Sequence, residues 1–116
     1  MDLLTELKEL GANTEEGLTR CMNNTSLYER LLKKVPANVE SLEVIPFIDT
    51  NDIEKATTNA HTLKGVMGNM SITPLFTAYT EIVNLLRAGK PAEARQMLVD
   101  ILPLQEQVVA CIKKYC

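Results

Sequence analysis

Three long segments of this chain place apolar residues at alternating steps of three and four, and that spacing leaves few folds open. In the first, Ile53, Ala56, Ala60, Leu63, Met67 and Met70 form one continuous seam. In the second, Leu75, Tyr79, Ile82 and Leu86 do the same, widened by Phe76 and Val83. In the third, Ala94, Met97, Ile101, Leu104, Val108, Cys111 and Tyr115 carry the spacing almost to the end. Each segment also carries its own start or stop. Asn51 is the expected N-cap of the first, with Glu54 at its third position. Thr73 can cap the second, with Pro74 at its first helical position, and Gly89 ends it. Pro91 opens the third. Pro103 lies inside that third segment and is predicted to kink it without ending it, because the seam stays in phase beyond it.

The N-terminal half reads as shorter helices. "DLLTELKEL" stops at Gly11, and Asn13 with Glu16 opens the next at capping-box spacing. Ser26 with Glu29 opens "SLYERLLKKV", which stops before Pro36, and "ANVESLEVIPFI" forms one more helix bent or ended near Pro46. Aromatic residues make up only 4% of the chain, so aliphatic side chains and methionine must fill the core. That composition suits packed helices better than a β-sandwich. Short connections between long amphipathic helices favour antiparallel neighbours. The expected fold is therefore a single all-α domain over residues 1–116. It is an antiparallel up-down four-helix bundle with one or two additional short N-terminal helices.

Twelve Lys and Arg against 15 Asp and Glu leave no basic block to neutralise phosphates, which argues against a nucleic-acid partner. No apolar run approaches the roughly 20 residues that span a bilayer, so no membrane insertion is expected. The acids within "MDLLTELKEL" argue against a secretory signal. The odd, scattered set Cys21, Cys111 and Cys116 fits a reduced, cytoplasmic protein. No sustained spare hydrophobic face demands a dimer, so a monomer is expected.

The chain's one histidine, His61, lies in the first long segment. At about 100° per residue it falls roughly 130° from the centre of the seam, facing solvent. Thr57, Lys64, Gly65 and Gly68 share its side. Each glycine costs a helix interior about 1 kcal/mol relative to alanine. Bare backbone beside the ring compensates by letting a large partner approach. A solvated imidazole is largely unprotonated at neutral pH, and its free ring nitrogen is a nucleophile. Lys64 can support an anionic group on the ring, and Thr57 can hydrogen-bond the other nitrogen and fix the tautomer. This constellation fits a phosphoryl group arriving on His61. A single histidine and scattered cysteines lack metal-ligand spacing, and nothing beside His61 supplies the acid or base of a hydrolase. The residues alone leave one rival open, a binding-only helical adaptor that docks a signalling partner without being phosphorylated.

"AHTLKG", residues 60–65, resembles the signature of histidine-containing phosphotransfer domains. The upstream "ELGANTEEGLTRCMNNTSLYERLLKKV" is similar to the N-terminal part of many bacterial members, and "GVMGN" and "LRAGKPAEA" sit where similar turns do. The resemblance implies His61 as phosphoacceptor, Lys64 as nearby positive charge, and Gly65 and Gly68 as small residues that open access. It implies a carrier without kinase activity of its own and with no cofactor, any divalent metal belonging to the partner. It implies response-regulator receiver domains and a hybrid sensor histidine kinase as partners. One position departs from the pattern: Ser71 stands where many relatives carry glycine.

Overall fold

The computed structural model describes residues 2–116, and among them every regular element is a helix. Five short helices come first: α1 (Leu3–Glu9), α2 (Thr14–Arg20), α3 (Thr25–Leu32), α4 (Val35–Ser41) and α5 (Ile45–Asp49). Three long ones follow: α6 (Ile53–Asn69), α7 (Thr73–Arg87) and α8 (Pro91–Lys114). The short helices outnumber the expectation because the chain is broken more often than its glycines and prolines reveal. Met22 and Asn23 take positive φ between α2 and α3, a conformation ordinarily left to glycine or asparagine. Pro36 and Pro46 lie in the first turns of α4 and α5, so each starts a helix.

Several helix starts differ from expectation. Asn24, not Ser26, caps α3 by accepting the Leu27 N–H. Asp52, not Asn51, caps α6 by accepting the Lys55 N–H, because Asn51 is spent on a left-handed turn at φ 61°. Ile72 precedes α7 without any side-chain cap, and Thr73 is already helical. The Asn13 cap of α2 is as expected, but Glu16 does not reach back to complete a box. Its carboxylate instead accepts from the Ser71 hydroxyl at 2.9 Å. That bond, with the Asn13 N–H to Ser71 carbonyl bond at 2.8 Å, holds Ser71 at φ 57°. Serine thus occupies a turn conformation that glycine adopts more cheaply.

Helix α7 packs between α6 and α8, and the connections on either side of it are three residues long. Helices α4 and α5 each touch both α6 and α8. Ala56, Ala60, Leu63 and Met67 of α6 meet Leu75, Tyr79, Ile82 and Leu86 of α7 in the core, as the spacing predicts. Burying each large aliphatic side chain is worth about 2 kcal/mol. Two apolar assignments are corrected. Phe76 is 37% exposed instead of inward, and the buried stripe of α8 runs through Ala94, Leu98, Gln105, Val108 and Ile112. Met97, Ile101, Leu104, Cys111 and Tyr115 are only partly covered. Gln105 explains the shift: a polar residue centres the stripe because its side-chain oxygen accepts from the buried Tyr79 hydroxyl, which apolar counting cannot register. Burial pushes Tyr79 up to about 12. Helix α8 continues through Pro103 to Lys114.

Gly17 shows why the small helices hold their places. A Cβ there would sit 2.2 Å from the ring of Tyr28, so only glycine lets α2 lie against that ring. The Tyr28 hydroxyl then donates to the Met70 carbonyl at the end of α6, at 2.7 Å.

Ion pairs tie α8 to the N-terminal half. Arg95 makes a two-pronged contact with Asp49 (2.7 and 3.2 Å), and Lys114 meets Glu6 at 2.8 Å. The hydrogen bond from Arg95 holds the Asp49 carboxyl below its ordinary 3.8, and Lys114 does the same for Glu6 below 4.5. A carboxyl depressed in the folded state adds stability above its unfolded pKa and loses it as pH falls through the folded one. The urea midpoint is therefore expected to hold steady down to about pH 5 and to decline below it. Asp49→Asn should flatten part of that decline in parallel urea titrations. An equally steep decline in the variant would refute the assignment.

Candidate functional site

His61 sits in the middle of α6, where the seam predicts an outward direction, and its ring is exposed. Among the described residues neither ring nitrogen has a hydrogen-bond partner. The imidazole lines a surface depression of about 340 Å³ together with Ile53, Glu54, Thr57, Thr58, Thr62 and Arg87. Its wall is made of threonine because each hydroxyl folds back onto its own helix. Thr57 donates to the Ile53 carbonyl at 2.7 Å, Thr58 to Glu54 at 3.0 Å and Thr62 to Thr58 at 3.1 Å. Thr57 is thereby corrected: its proton goes to the backbone, and no hydrogen bond joins it to His61 among the described residues.

The two glycines separate into different roles. A Cβ on Gly65 would meet nothing within 4 Å, so the backbone one turn beyond His61 is open. Side chains on a helix lean toward its N-terminus, so any group at position 65 would lean over the ring at 61. Gly68 does not open access. A Cβ there would lie 2.8 Å from the Phe76 ring, which covers that stretch of backbone. Gly68 is small to admit a neighbour within the fold, and the Phe76 ring comes to rest on the helix surface because of it.

Lys64 is half-buried, three residues beyond His61, and leans the same way. Arg87, at the end of α7, lines the same depression as the imidazole, which Lys64 does not, and the sequence reading missed it. No signal within the sequence gave it, because it depends on the register between α6 and α7. The pairing that sets Gly68 against Phe76 sets the residue eleven earlier on α6, Thr57, near the residue eleven later on α7, Arg87. Neither Lys64 nor Arg87 forms an ion pair among the described residues. Glu54 is the one carboxylate on the same depression. On the C-terminal side of Gly65, Arg20 and Glu16 of α2 border the surface and pair with each other at 3.5 Å.

Chemically, the arrangement offers one solvent-facing nucleophilic nitrogen, open backbone on one side, and one cation, Arg87, on the same depression, with Lys64 three residues along the helix. Among the described residues no group of three His, Cys, Asp or Glu gathers as metal ligands. All three cysteines are free thiols. Among the same residues no helix is long and apolar enough to cross a membrane. The family model described as "Hpt domain" matches residues 26–113. No curated protein and no solved structure matches the chain.

Proposed function

Because this chain belongs to the Hpt domain family, we propose that it shuttles a phosphoryl group between receiver-domain aspartates and His61 in a multistep two-component relay. Membership carries phosphotransfer in two-component signalling; the assignment to His61 and to these partners is the finer reading. Its chief support is the exposed imidazole with open backbone at Gly65.

The free ring nitrogen of His61 attacks the phosphorus of a receiver's aspartyl phosphate in line. The nitrogen–phosphorus bond forms as the bond to the aspartate oxygen breaks, and the carboxylate leaves with its electron pair. Reversal returns the group to a second aspartate. The receiver brings the divalent metal, and this chain brings position and charge, without kinase or phosphatase activity of its own. A hybrid sensor histidine kinase stands upstream. In this reading the protein works as a cytoplasmic monomer, built as an up-down four-helix bundle in which α4 and α5 serve as the fourth side next to α6 and α8. The partner's contact is small and transient, below about 1,200 Å² in total.

The test is transfer from a receiver domain carrying labelled phosphate. Acid-labile, alkali-stable label on this chain supports the reading, and its absence with every receiver of the host refutes it. Arg87 supplies a graded check. Arg87→Ala should slow the first turnover about three- to tenfold, the loss of roughly 1 kcal/mol of screened attraction. Its thermal midpoint should not move. An unchanged rate would remove Arg87 from the site.

A further inference from the structure

A groove of about 1000 Å³ runs between α7 and α8. Its floor is apolar, with Phe76 and Leu85 from one helix and Met97 and Ile101 from the other. It shares no lining residue with the depression that holds the imidazole. These side chains lie on the apolar periodicity of their helices and stay partly exposed among the described residues, with Phe76 also resting against Gly68 of α6.

The charge along the groove selects what could. Glu81 stands on the α7 bank, and Glu93 and Asp100 stand on the α8 bank. No lysine or arginine lines it. Glu81 and Glu93 form no ion pair among the described residues, and Asp100 accepts only from the Gln96 amide at 2.9 Å. The nearest arginine along α8, Arg95, is turned away and held by Asp49. Three carboxylates around an apolar floor repel an anionic lipid surface or a nucleic acid. They complement an apolar strip flanked by cations.

We propose that the α7–α8 groove is a docking site for a basic amphipathic helix of a partner protein. Its apolar face would cover Phe76, Leu85, Met97 and Ile101, and its flanking Lys or Arg would meet Glu81, Glu93 and Asp100. The 15 residues of α7 extend about 22 Å at 1.5 Å each, so three to four turns of a partner helix fit alongside. The His61 depression shares no lining residue with the groove, and Phe76 at the groove's end also borders the surface at Gly65. The inference stands on the groove's shape and charge and does not depend on the role of His61.

The probe is a synthetic peptide of about 14 residues, long enough for four helical turns, with leucines at helical spacing and lysines on both flanks. A control peptide carries glutamates in place of the lysines. Titrated into isotope-labelled protein, the lysine peptide should shift backbone amides of residues 76–85 and 93–101, and the control should not. The exposed triple change E81K, E93K and D100K should weaken binding at least about tenfold. Circular dichroism checks that this variant is folded, and rising salt should weaken the unmodified protein in the same direction. His61→Gln should bind the peptide unchanged. Shifts that map elsewhere, equal binding of the control, or an unaltered affinity after charge reversal would each overturn the proposal. So would concentration-dependent self-association through the groove, which would make a second copy its occupant.

Discussion

His61→Gln is expected to abolish uptake of label from a phosphorylated receiver while leaving the fold intact. Glutamine keeps a polar side chain of similar reach but has no nucleophilic ring nitrogen, so no nitrogen–phosphorus bond can form. The imidazole has no partner among the described residues, and exposed substitutions of that kind stay within about 0.5 kcal/mol of the original stability. Thermal unfolding and far-ultraviolet circular dichroism should therefore match the parent, and labelling should fall to background. Because the chain carries no other histidine, acid-labile label that persists in the variant would place the acceptor on a different residue type. It would end the proposed function as stated.

Gly65 carries the second large effect, and two substitutions there should part company. Gly65→Ala meets open space and removes the helix penalty of glycine, so it should raise stability by about 1 kcal/mol. Gly65→Leu should also fold, but its side chain leans back over the imidazole one turn earlier. A receiver must bring its phosphorus to about 3 Å from the ring nitrogen for in-line attack. A leucine standing in that approach should reduce the transfer rate by a hundredfold or so, about 2.7 kcal/mol of lost access. Transfer slowed by about that factor with an unchanged far-ultraviolet spectrum is the expected pair of results. Undiminished transfer in Gly65→Leu would show that the bare backbone serves something other than a partner's approach. Gly68 is a built-in contrast, because substitution there must first displace the Phe76 ring.

The outward direction of the candidate site's imidazole was legible before any tertiary contact was known. A helix of fixed pitch sends His61 away from a seam through Ala60, Leu63 and Met67, and the ring is exposed where that geometry puts it. Thr57 was read less well. Its position was right, but a threonine inside a helix can give its proton to the carbonyl four residues back, and periodicity does not reveal that choice. Gly68 failed for a different reason: a missing side chain looks the same whether it admits a partner or a neighbouring ring.

The sequence by itself determined an all-helical chain, the inner faces of α6 and most of α7, and the outward direction of the one imidazole. Each of these follows from local pitch and from which side chains avoid water. Only the tertiary structure decided that Arg87 stands beside His61, that Phe76 lies on Gly68, and that Gln105 centres the buried stripe of α8 by accepting from Tyr79. Those facts depend on how far one helix slides along another. That register is fixed by packing across helices rather than by the order of residues within one.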